Sequence, residues 1–375
     1  MKRISALSAI FCTLWLLAGC AADAPAPAPE PVPEPQPQIE APSKAEKLLD
    51  SMTTEEKVGQ LFFVRVPEEN AAADAADYHL GGYILFGRDT QDKTFDQLSQ
   101  TIRSYQEAAD IPLLIGVDEE GGTVNRVSRN PALRDKPFSS PQELMAQGGM
   151  EALLGETAEK DLLLRSLGIN VNLAPVADVS TDPADFIYGR AFGQDAEATA
   201  DYVGQVVRQM DADGMGSVLK HFPGYGNNVD THTGIAVDER PLSRFEAEDF
   251  LPFRAGFESG SPAVMVSHNI ITAVDEALPA SLSPAVHQLL REELGFDGVV
   301  MTDDLAMDAV SEYAGSSTAA VLAVKAGNDM LITGDYREQI PQVLQALDSG
   351  ELTMEQIDIA CLRVLEWKDH LGLLP

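Results

Sequence analysis

Short apolar runs alternate with longer stretches of helical periodicity along most of this chain. The runs are rich in Val, Ile, Leu and Phe, which is typical of strands buried on both faces of a parallel sheet. Eight runs are predicted as strands: residues 60–66, 81–86, 113–118, 169–174, 215–220, 263–267, 298–303 and 329–333.

The stretches between these runs are predicted as helices, and several carry start signals. Thr53 and Glu56 have the spacing of a capping box, while Ser140–Pro141 and Ser283–Pro284 fit an N-cap followed by proline at the first helical position. Eight strand–helix alternations favour a (β/α)8 barrel over a doubly wound sheet, because no G-x-G-x-x-G turn follows the first strand. The predicted helices are residues 94–109, 141–166, 196–212, 243–259, 284–294, 309–326 and 336–348, and a last one runs from 353 to about 371.

The N-terminal part has a different pattern. Lys2 and Arg3 precede an apolar run that ends near Leu17 and is too short for an ordinary membrane span, so residues 1–19 are predicted to be a signal peptide. The run Leu-Ala-Gly-Cys ending at Cys20 resembles a bacterial lipobox, which implies cleavage before Cys20 and a lipid on its sulfur. An ordinary secretory signal with a chance cysteine is the alternative.

Residues 20–43 are predicted to be a linker, because proline occupies every second position from Pro25 to Pro37. Such a run favours extended polyproline II, although it could also be a ligand for a proline-binding domain. Residues 44–375 are then the globular barrel. We expect an extracytoplasmic protein that acyl chains alone attach to the cell membrane.

Charge and cysteine content narrow the possible partners. The formal net charge is −33, from 59 acidic and 26 basic residues, which argues against nucleic-acid binding and against electrostatic attraction to anionic lipid. The three cysteines, Cys12, Cys20 and Cys361, do not make a disulfide framework. A hydrophobic content of 45% is sufficient for a sizeable core.

Polar side chains follow the predicted strands where active sites of (β/α)8 barrels form, at the carboxyl ends. Asp118 ends the third strand, Lys220 and His221 end the fifth, and Asp303 and Asp304 end the seventh. The fourth strand leads to Asn172, Pro175 and Asp178, and the sixth leads to Ser267, His268 and Asn269.

The highest density of candidate catalytic residues is found in the segment 214–234, GMGSVLKHFPGYGNNVDTHTG. A strand ends in a glycine-rich loop, and Asp230 and His232 follow with one residue between them. A carboxylate at that spacing can accept the Nδ1 proton of the imidazole and leave Nε2 free for proton transfer. We interpret the pair as an acid/base dyad, with a solvated loop as the alternative.

KHFPG followed by DTH resembles the signature of glycoside hydrolase family 3, in its single-domain β-N-acetylglucosaminidase branch. The resemblance covers nearly all of residues 44–375 and implies the same barrel. It also implies that the first aspartate of TDDLAM, Asp303, forms a covalent glycosyl–enzyme. The motifs D-x-E-G-G-x-V-x-R, G-R-A-F-G and K-H-F-P-G imply that sugar hydroxyls are held by Asp118, Arg126, Arg190, Lys220 and His221.

Physical reasoning agrees with this assignment of roles. Hydrolysis with retention needs a nucleophile and a proton donor about 5 Å apart. Asp304 lies nearer the next helix and suits an N-cap, so Asp303 is the better nucleophile. An imidazole is never an anion, and His232 therefore avoids the like-charge repulsion of a second carboxylate beside Asp303. Glu120 is placed outside the site, as a brace for the turn at Gly121 and Gly122.

The expected activity is retaining, exo-acting hydrolysis of terminal non-reducing N-acetylglucosamine from peptidoglycan fragments or related chains, without a cofactor and by a monomer. The substrate would be an N-acetylglucosamine-containing glycan or muropeptide. Three features depart from the usual family pattern: Thr123, Tyr225 and a shortened loop before Asp230. The identity of the leaving-side sugar is therefore not determined by the resemblance. A β-glucosidase, a phosphorylase of the same family and a non-catalytic sugar-binding lipoprotein are the alternatives.

A metal site is a weaker hypothesis. His221, His232 and His268 could in principle be ligands, but neither an H-E-x-x-H motif nor paired cysteines accompany them. The sequence therefore predicts no metal.

Overall fold

The computed structural model describes residues 42–227, 236–307, 310, 313–314 and 318–375. Eight parallel strands form a barrel in which β1 pairs with β10 and a bridge between Met301 and Met330 links β9 to β10. Two further short strands, β6 and β8, pair with each other outside the barrel. The strands are β1 (Phe62–Arg65), β2 (Gly82–Leu85), β3 (Leu114–Val117), β4 (Val171–Asn172), β5 (Gly216–Phe222), β6 (Val237–Asp238), β7 (Ala263–Val266), β8 (Ile270–Ile271), β9 (Val299–Thr302) and β10 (Leu331–Thr333).

Helices connect the barrel strands. Two of them are extended by π-helical turns: α8 continues through Phe245–Asp249 into α9, and α10 continues through Leu289–Glu293. The described helices are α1 (Lys44–Ser51), α2 (Thr54–Gln60), α3 (Ala71–Asp77), α4 (Gly87–Thr90), α5 (Phe95–Ala108), α6 (Pro141–Leu167), α7 (Ala196–Ala212), α8 (Leu242–Arg244), α9 (Phe250–Glu258), α10 (Pro284–Gln288), α11 (Ala319–Ala326), α12 (Tyr336–Asp348) and α13 (Met354–His370).

The predicted (β/α)8 barrel is confirmed, and seven of the eight predicted strands contain a barrel strand. The remaining one, predicted over 215–220, overlaps β5, which extends further to Phe222. Thr53 and Ser140 cap their helices as expected, since the side chain of each accepts a hydrogen bond from the third residue of its helix. Helix α3 was not predicted, because its sequence AAADAAD has no apolar stripe. The last part of the helix predicted over residues 309–326 is observed as α11 (Ala319–Ala326).

Glycines on neighbouring strands accommodate one large ring inside the barrel. Phe63 of β1 is fully buried, and a Cβ atom at Gly116 of β3 would lie only 2.4 Å from its ring. At the opposite end Trp367 of α13 packs against the interior cluster, and a Cβ atom at Gly216 would lie 3.1 Å from its indole. The interior is therefore a packed core, and only its carboxyl-terminal end is left for a ligand.

The predictions for the N-terminal part lie outside the described residues. These are the signal peptide, the lipid on Cys20 and the proline-rich linker, and they stay predictions. None of the helices described from residue 42 onward is long and apolar enough to cross a membrane.

Candidate active site

A pocket opens at the carboxyl-terminal end of the barrel and brings most of the predicted site residues together. Its floor is apolar and consists of Ile84, Leu173, Met265 and Ile332, all of which belong to the cluster of buried side chains inside the barrel. Its polar wall consists of Arg65, Asp118, Arg126, Arg190, Lys220, His221, Asp303 and Asp304. Asp230 and His232 lie outside the described residues.

Two carboxylates and two cations form one ion-pair network in this wall. Lys220 Nζ donates to Asp118 Oδ1 at 2.6 Å and lies 2.6 Å from Glu120 Oε1. Arg190 donates to both oxygens of Glu120, at 3.0 Å through Nε and at 2.7 Å through Nη2. The side chains of Lys220 and Glu120 are only 1% and 4% exposed, so this network is shielded from water. Buried charges of this kind are stable only when fully paired.

The network stabilises the charged forms of Glu120 and Arg190. Burial alone would raise the pKa of Glu120, but the charges of Arg190 and Lys220 hold it well below its usual range. Burial opposes the charge of Arg190, but Glu120 raises the pKa of the guanidinium above its already high value. Arg190 therefore presents a charged donor to the pocket, and charged donors suit the recognition of sugar hydroxyls.

The structure corrects the placement of Glu120. Its neighbour Glu119 braces the glycine turn, because the Glu119 carboxylate accepts hydrogen bonds from the backbone N–H groups of Arg126 and Val127 at 2.7 Å and of Ser128 at 3.0 Å. Glu120 instead pairs with Arg190 and Lys220 and supports these two pocket residues from behind. Side chains two positions apart in extended backbone face the same side, so the spacing of Asp118 and Glu120 was a usable sign that the two carboxylates lie together.

His221 is oriented by Asp178, a residue that sequence reasoning placed at a strand end but gave no role. Asp178 Oδ2 lies 2.8 Å from Nδ1 of His221, and Asp178 Oδ1 accepts the backbone N–H of Tyr225 at 2.8 Å. On the other side of the ring Nε2 lies 3.3 Å from Nη2 of Arg190. Because arginine can only donate, we assign the proton to Nδ1 and the acceptor role to Nε2.

Tyr225, one of the departures from the family pattern, completes this arrangement. Its buried ring meets His221 edge to face at 5.1 Å and Phe186 at 4.9 Å. The tyrosine ring thus packs against the imidazole. The Asp178 carboxylate contacts both Nδ1 of that imidazole and the backbone N–H of Tyr225.

The two aspartates after β9 have different surroundings. Asp304 pairs with Arg65, accepts the backbone N–H of Ala306 at 2.9 Å and is mostly buried. Burial raises the pKa of Asp304, although Arg65 opposes the shift. Asp303 is less buried, and its Oδ1 accepts the backbone N–H of Asp304 at 2.7 Å. The N-cap role expected of Asp304 stays a prediction, since residues 308 and 309 lie outside the described residues, and both carboxylates reach the pocket.

Arg126 brings an unpaired donor to the pocket. Its Nε is buried and has no hydrogen-bond partner among the described residues. A buried donor without a partner costs about 1–3 kcal/mol, which an oxygen atom of a ligand would recover. Arg126 is therefore well suited to the sugar-holding role that the sequence assigned to it.

Of the histidines considered as metal ligands, His221 and His268 have other partners, and His232 lies outside the described residues. His268 contacts Ser281 Oγ at 2.7 Å through Nδ1 and the backbone oxygen of Asp304 at 3.0 Å through Nε2. Within the described part of the chain no group of three His, Cys, Asp or Glu side chains is arranged to hold a metal ion.

Comparisons with known proteins agree with the geometry. Residues 53–367 match the glycosyl hydrolase family 3 N-terminal domain. The chain is 35% identical to the β-hexosaminidase LpqI of Mycobacterium tuberculosis over 331 residues, which cover 84% of this chain and 83% of that protein. The solved structure of LpqI superposes with a TM-score of 0.79 at 30% identity and covers 87% of this chain and 96% of the other.

A family 3 β-N-acetylglucosaminidase from Paenibacillus sp. superposes with a TM-score of 0.80 at 33% identity. The match covers 86% of this chain but only 63% of that longer protein. The family match spans far more than half of the present chain. The chain belongs to glycoside hydrolase family 3.

Proposed function

We propose that this glycoside hydrolase is an exo-acting, retaining β-N-acetylglucosaminidase. It would release terminal non-reducing N-acetylglucosamine from peptidoglycan fragments or related chains. The observation that carries the proposal is the convergence of Asp303 with Asp118, Lys220 and Arg190 in one pocket, where Glu120 pairs with both cations. Similarity to proteins named β-hexosaminidase and β-N-acetylglucosaminidase supports the choice of sugar.

In the first step the Asp303 carboxylate attacks the anomeric carbon and forms a glycosyl ester. His232 gives its proton to the leaving oxygen, and Asp230 stabilises the imidazolium before that transfer. In the second step a water molecule gives a proton to His232 and attacks the same carbon, which releases Asp303. Two inversions at one carbon give net retention.

Specificity for the sugar would come from the ion-pair network. Asp118 can accept from one hydroxyl while Arg126 and Lys220 donate to others. A sugar without the oxygen that meets Arg126 leaves the buried Nε of Arg126 without a partner, which costs more than losing an apolar contact.

The Asp178–His221 pair also has the geometry of an acid/base dyad, but its contacts suit another role. The guanidinium of Arg190 lies 3.3 Å from Nε2 of His221 and occupies the one lone pair of that nitrogen. With that lone pair occupied, His221 orients Arg190 in the wall of the sugar pocket. We therefore keep His232 as the proton carrier.

The location of the enzyme is part of the proposal. A lipid on Cys20 would attach it to the outer side of the cell membrane, and the proline-rich segment after it would separate the barrel from the lipid surface by tens of ångströms, at roughly 3.1 Å per residue. A substrate embedded in the cell envelope would then be within reach.

The function is tested by comparing aryl N-acetyl-β-glucosaminide with aryl β-glucoside, each with and without inorganic phosphate. We expect turnover of the first substrate to free N-acetylglucosamine at a rate that does not depend on phosphate. A preference for the glucoside would contradict the assigned sugar. Formation of a sugar 1-phosphate would contradict hydrolysis and identify a phosphorylase.

A further inference from the structure

The guanidinium of Arg240 lies between the two described ends of the segment that contains Asp230 and His232. We propose that Arg240 is a positioning residue for that acid/base pair: it ties the start of the segment, at Gly224, to its end, at Asp238. This inference rests on the proposed role of His232.

The contacts of Arg240 reach three separate parts of the chain. Its Nη2 donates to the backbone oxygen of Gly224 at 3.1 Å and to Asp238 Oδ2 at 2.8 Å. Its Nη1 donates to Asp249 Oδ2 at 2.9 Å, and its Nε lies 3.0 Å and 3.1 Å from the two oxygens of Asp238. The guanidinium also lies 4.3 Å from the ring centroid of Phe245. Five N–H donors in a fixed plane make this set of contacts possible.

The partners of Arg240 are themselves rigid. Asp238 belongs to β6, and its backbone oxygen accepts hydrogen bonds from the backbone N–H and the hydroxyl of Thr272, both at 3.0 Å. Asp249 lies in the π-helical turn between α8 and α9, where its side chain is 2% exposed. Arg240 therefore connects the start of the segment to two fixed elements rather than to another loop.

The glycines at the start of the segment fit closely around this cluster. A Cβ atom at Gly226, where φ is +54°, would lie 2.4 Å from Nη1 of Arg240. A Cβ atom at Gly224, where φ is +119°, would lie 2.4 Å from Oδ1 of Asp249. The ends of arginine side chains usually move aside, but this one is held by several hydrogen bonds. The backbone path into the segment is thus set by Arg240 and Asp249.

Positioning of this kind matters because proton transfer needs heavy atoms within about 2.6–3.2 Å. An error of about 1 Å at a catalytic group can lower a rate by about two orders of magnitude. The sugar-holding residues Asp118, Lys220 and Arg190 do not contact Arg240 through any described hydrogen bond or ion pair. Loss of Arg240 should therefore impair the chemical step and spare sugar binding.

The test compares Arg240→Lys and Arg240→Ala with Arg244→Ala. Arg244 is a matched control, because it lies four residues further along the chain and pairs with Glu248 at 2.6 Å but is 56% exposed. Lysine keeps the charge of Arg240 but cannot reach Gly224, Asp238 and Asp249 together. For a nitrophenyl N-acetylglucosaminide we expect both Arg240 variants to lose at least tenfold in kcat, with the affinity for N-acetylglucosamine changed less than twofold. Arg244→Ala should behave like the wild type.

Azide provides a readout that a merely structural role would not change. It needs no general base, so it should restore much of the lost turnover in the Arg240 variants, as it should in His232→Ala. Gly226→Ala, which pushes against the guanidinium without removing it, should show the same rescue. An Arg240→Lys protein with wild-type kcat, or one whose loss azide does not restore, would overturn the proposal.

Two different outcomes distinguish a wrong role for Arg240 from a wrong role for His232. If His232→Ala is slow and is rescued by azide while the Arg240 variants retain full kcat, the positioning role is wrong and the proposed mechanism stands. If His232→Ala itself retains full activity, the acid/base assignment is wrong and the role of Arg240 is wrong with it.

Discussion

Replacing Glu120 with glutamine tests the central ion-pair network. The substitution keeps the shape of the side chain but removes the charge that pairs with Arg190 and Lys220. Lys220 would retain Asp118 at 2.6 Å, whereas Arg190 would lose the carboxylate with which it makes two hydrogen bonds. The main effect should therefore fall on Arg190.

The size of the effect follows from burial. Removing one partner of a buried ion pair typically costs 3–5 kcal/mol, because the remaining charge stays desolvated. Since Lys220 keeps a partner, we expect the lower end, about 3 kcal/mol of unfolding free energy at pH 7. We also expect kcat/KM to fall more than tenfold, because one tenfold step corresponds to only about 1.4 kcal/mol of lost transition-state stabilisation.

The loss of stability in Glu120→Gln should become smaller as the pH falls into the acid range. The pKa of Glu120 is lower in the folded protein than its ordinary value near 4.5, so ionised Glu120 stabilises the fold above that pH. This contribution is lost progressively as the pH falls below about 4.5 toward the lower pKa of the folded state. The difference in stability between wild type and Glu120→Gln should therefore be constant from pH 6 to 8 and narrow in acid.

Chemical unfolding and initial rates on an aryl N-acetylglucosaminide measure both effects. Glu159→Gln is the matched control, because Glu159 pairs with Arg134 at 3.0 Å while 57% exposed, and such surface pairs contribute about 0–1 kcal/mol. The reasoning is refuted if Glu120→Gln keeps wild-type stability and wild-type kcat/KM.

Four further predictions address single residues. Asp303→Ala should lose nearly all turnover while still binding N-acetylglucosamine in calorimetry; loss of activity in Asp304→Ala but not in Asp303→Ala would move the nucleophile by one position. His232→Ala should accumulate the glycosyl–enzyme with a nitrophenyl substrate and yield a β-glycosyl azide when azide is added; an unaltered rate and no azide product would assign the proton to another group. Cys20→Ser should move the protein out of the membrane fraction, and unchanged retention there would exclude the lipid anchor. Burial raises the pKa of Asp161 to about 7, so its ionisation destabilises the fold increasingly as the pH rises from about 4 to 7; Asp161→Asn should raise Tm at pH 8 and leave it nearly unchanged at pH 4, whereas an equal shift at both would contradict a role for ionisation.

The barrel could be predicted from sequence because its strands are buried on both faces and therefore read as continuous apolar runs. Helix starts were equally visible, since Thr53 and Ser140 act locally through residues a few positions away. Helix α3 was not visible, because a row of alanines has helical propensity but no apolar face.

The partners inside the site were harder to predict, because they are distant in sequence. Asp178 and His221 are separated by 43 positions, and Glu120 and Arg190 by 70. Glu119 and Glu120 are chemically identical neighbours that differ only in direction, so composition could not distinguish the turn brace from the site residue. Arg240 had no local signal, because its partners Gly224 and Asp249 become neighbours only in the folded chain.

The ion-pair network occupies one arc of the barrel rim, since Asp118 and Glu120 follow β3 and Lys220 lies in β5. Asp303 follows β9, and Arg65 ends β1, on the remaining arc. Library design can use this division. Varying the loops after β1 and β2 would diversify the pocket rim beside Arg65 without changing any carboxylate–cation pair of the first arc. Variants of this rim could then be selected without renewed selection for the charged network.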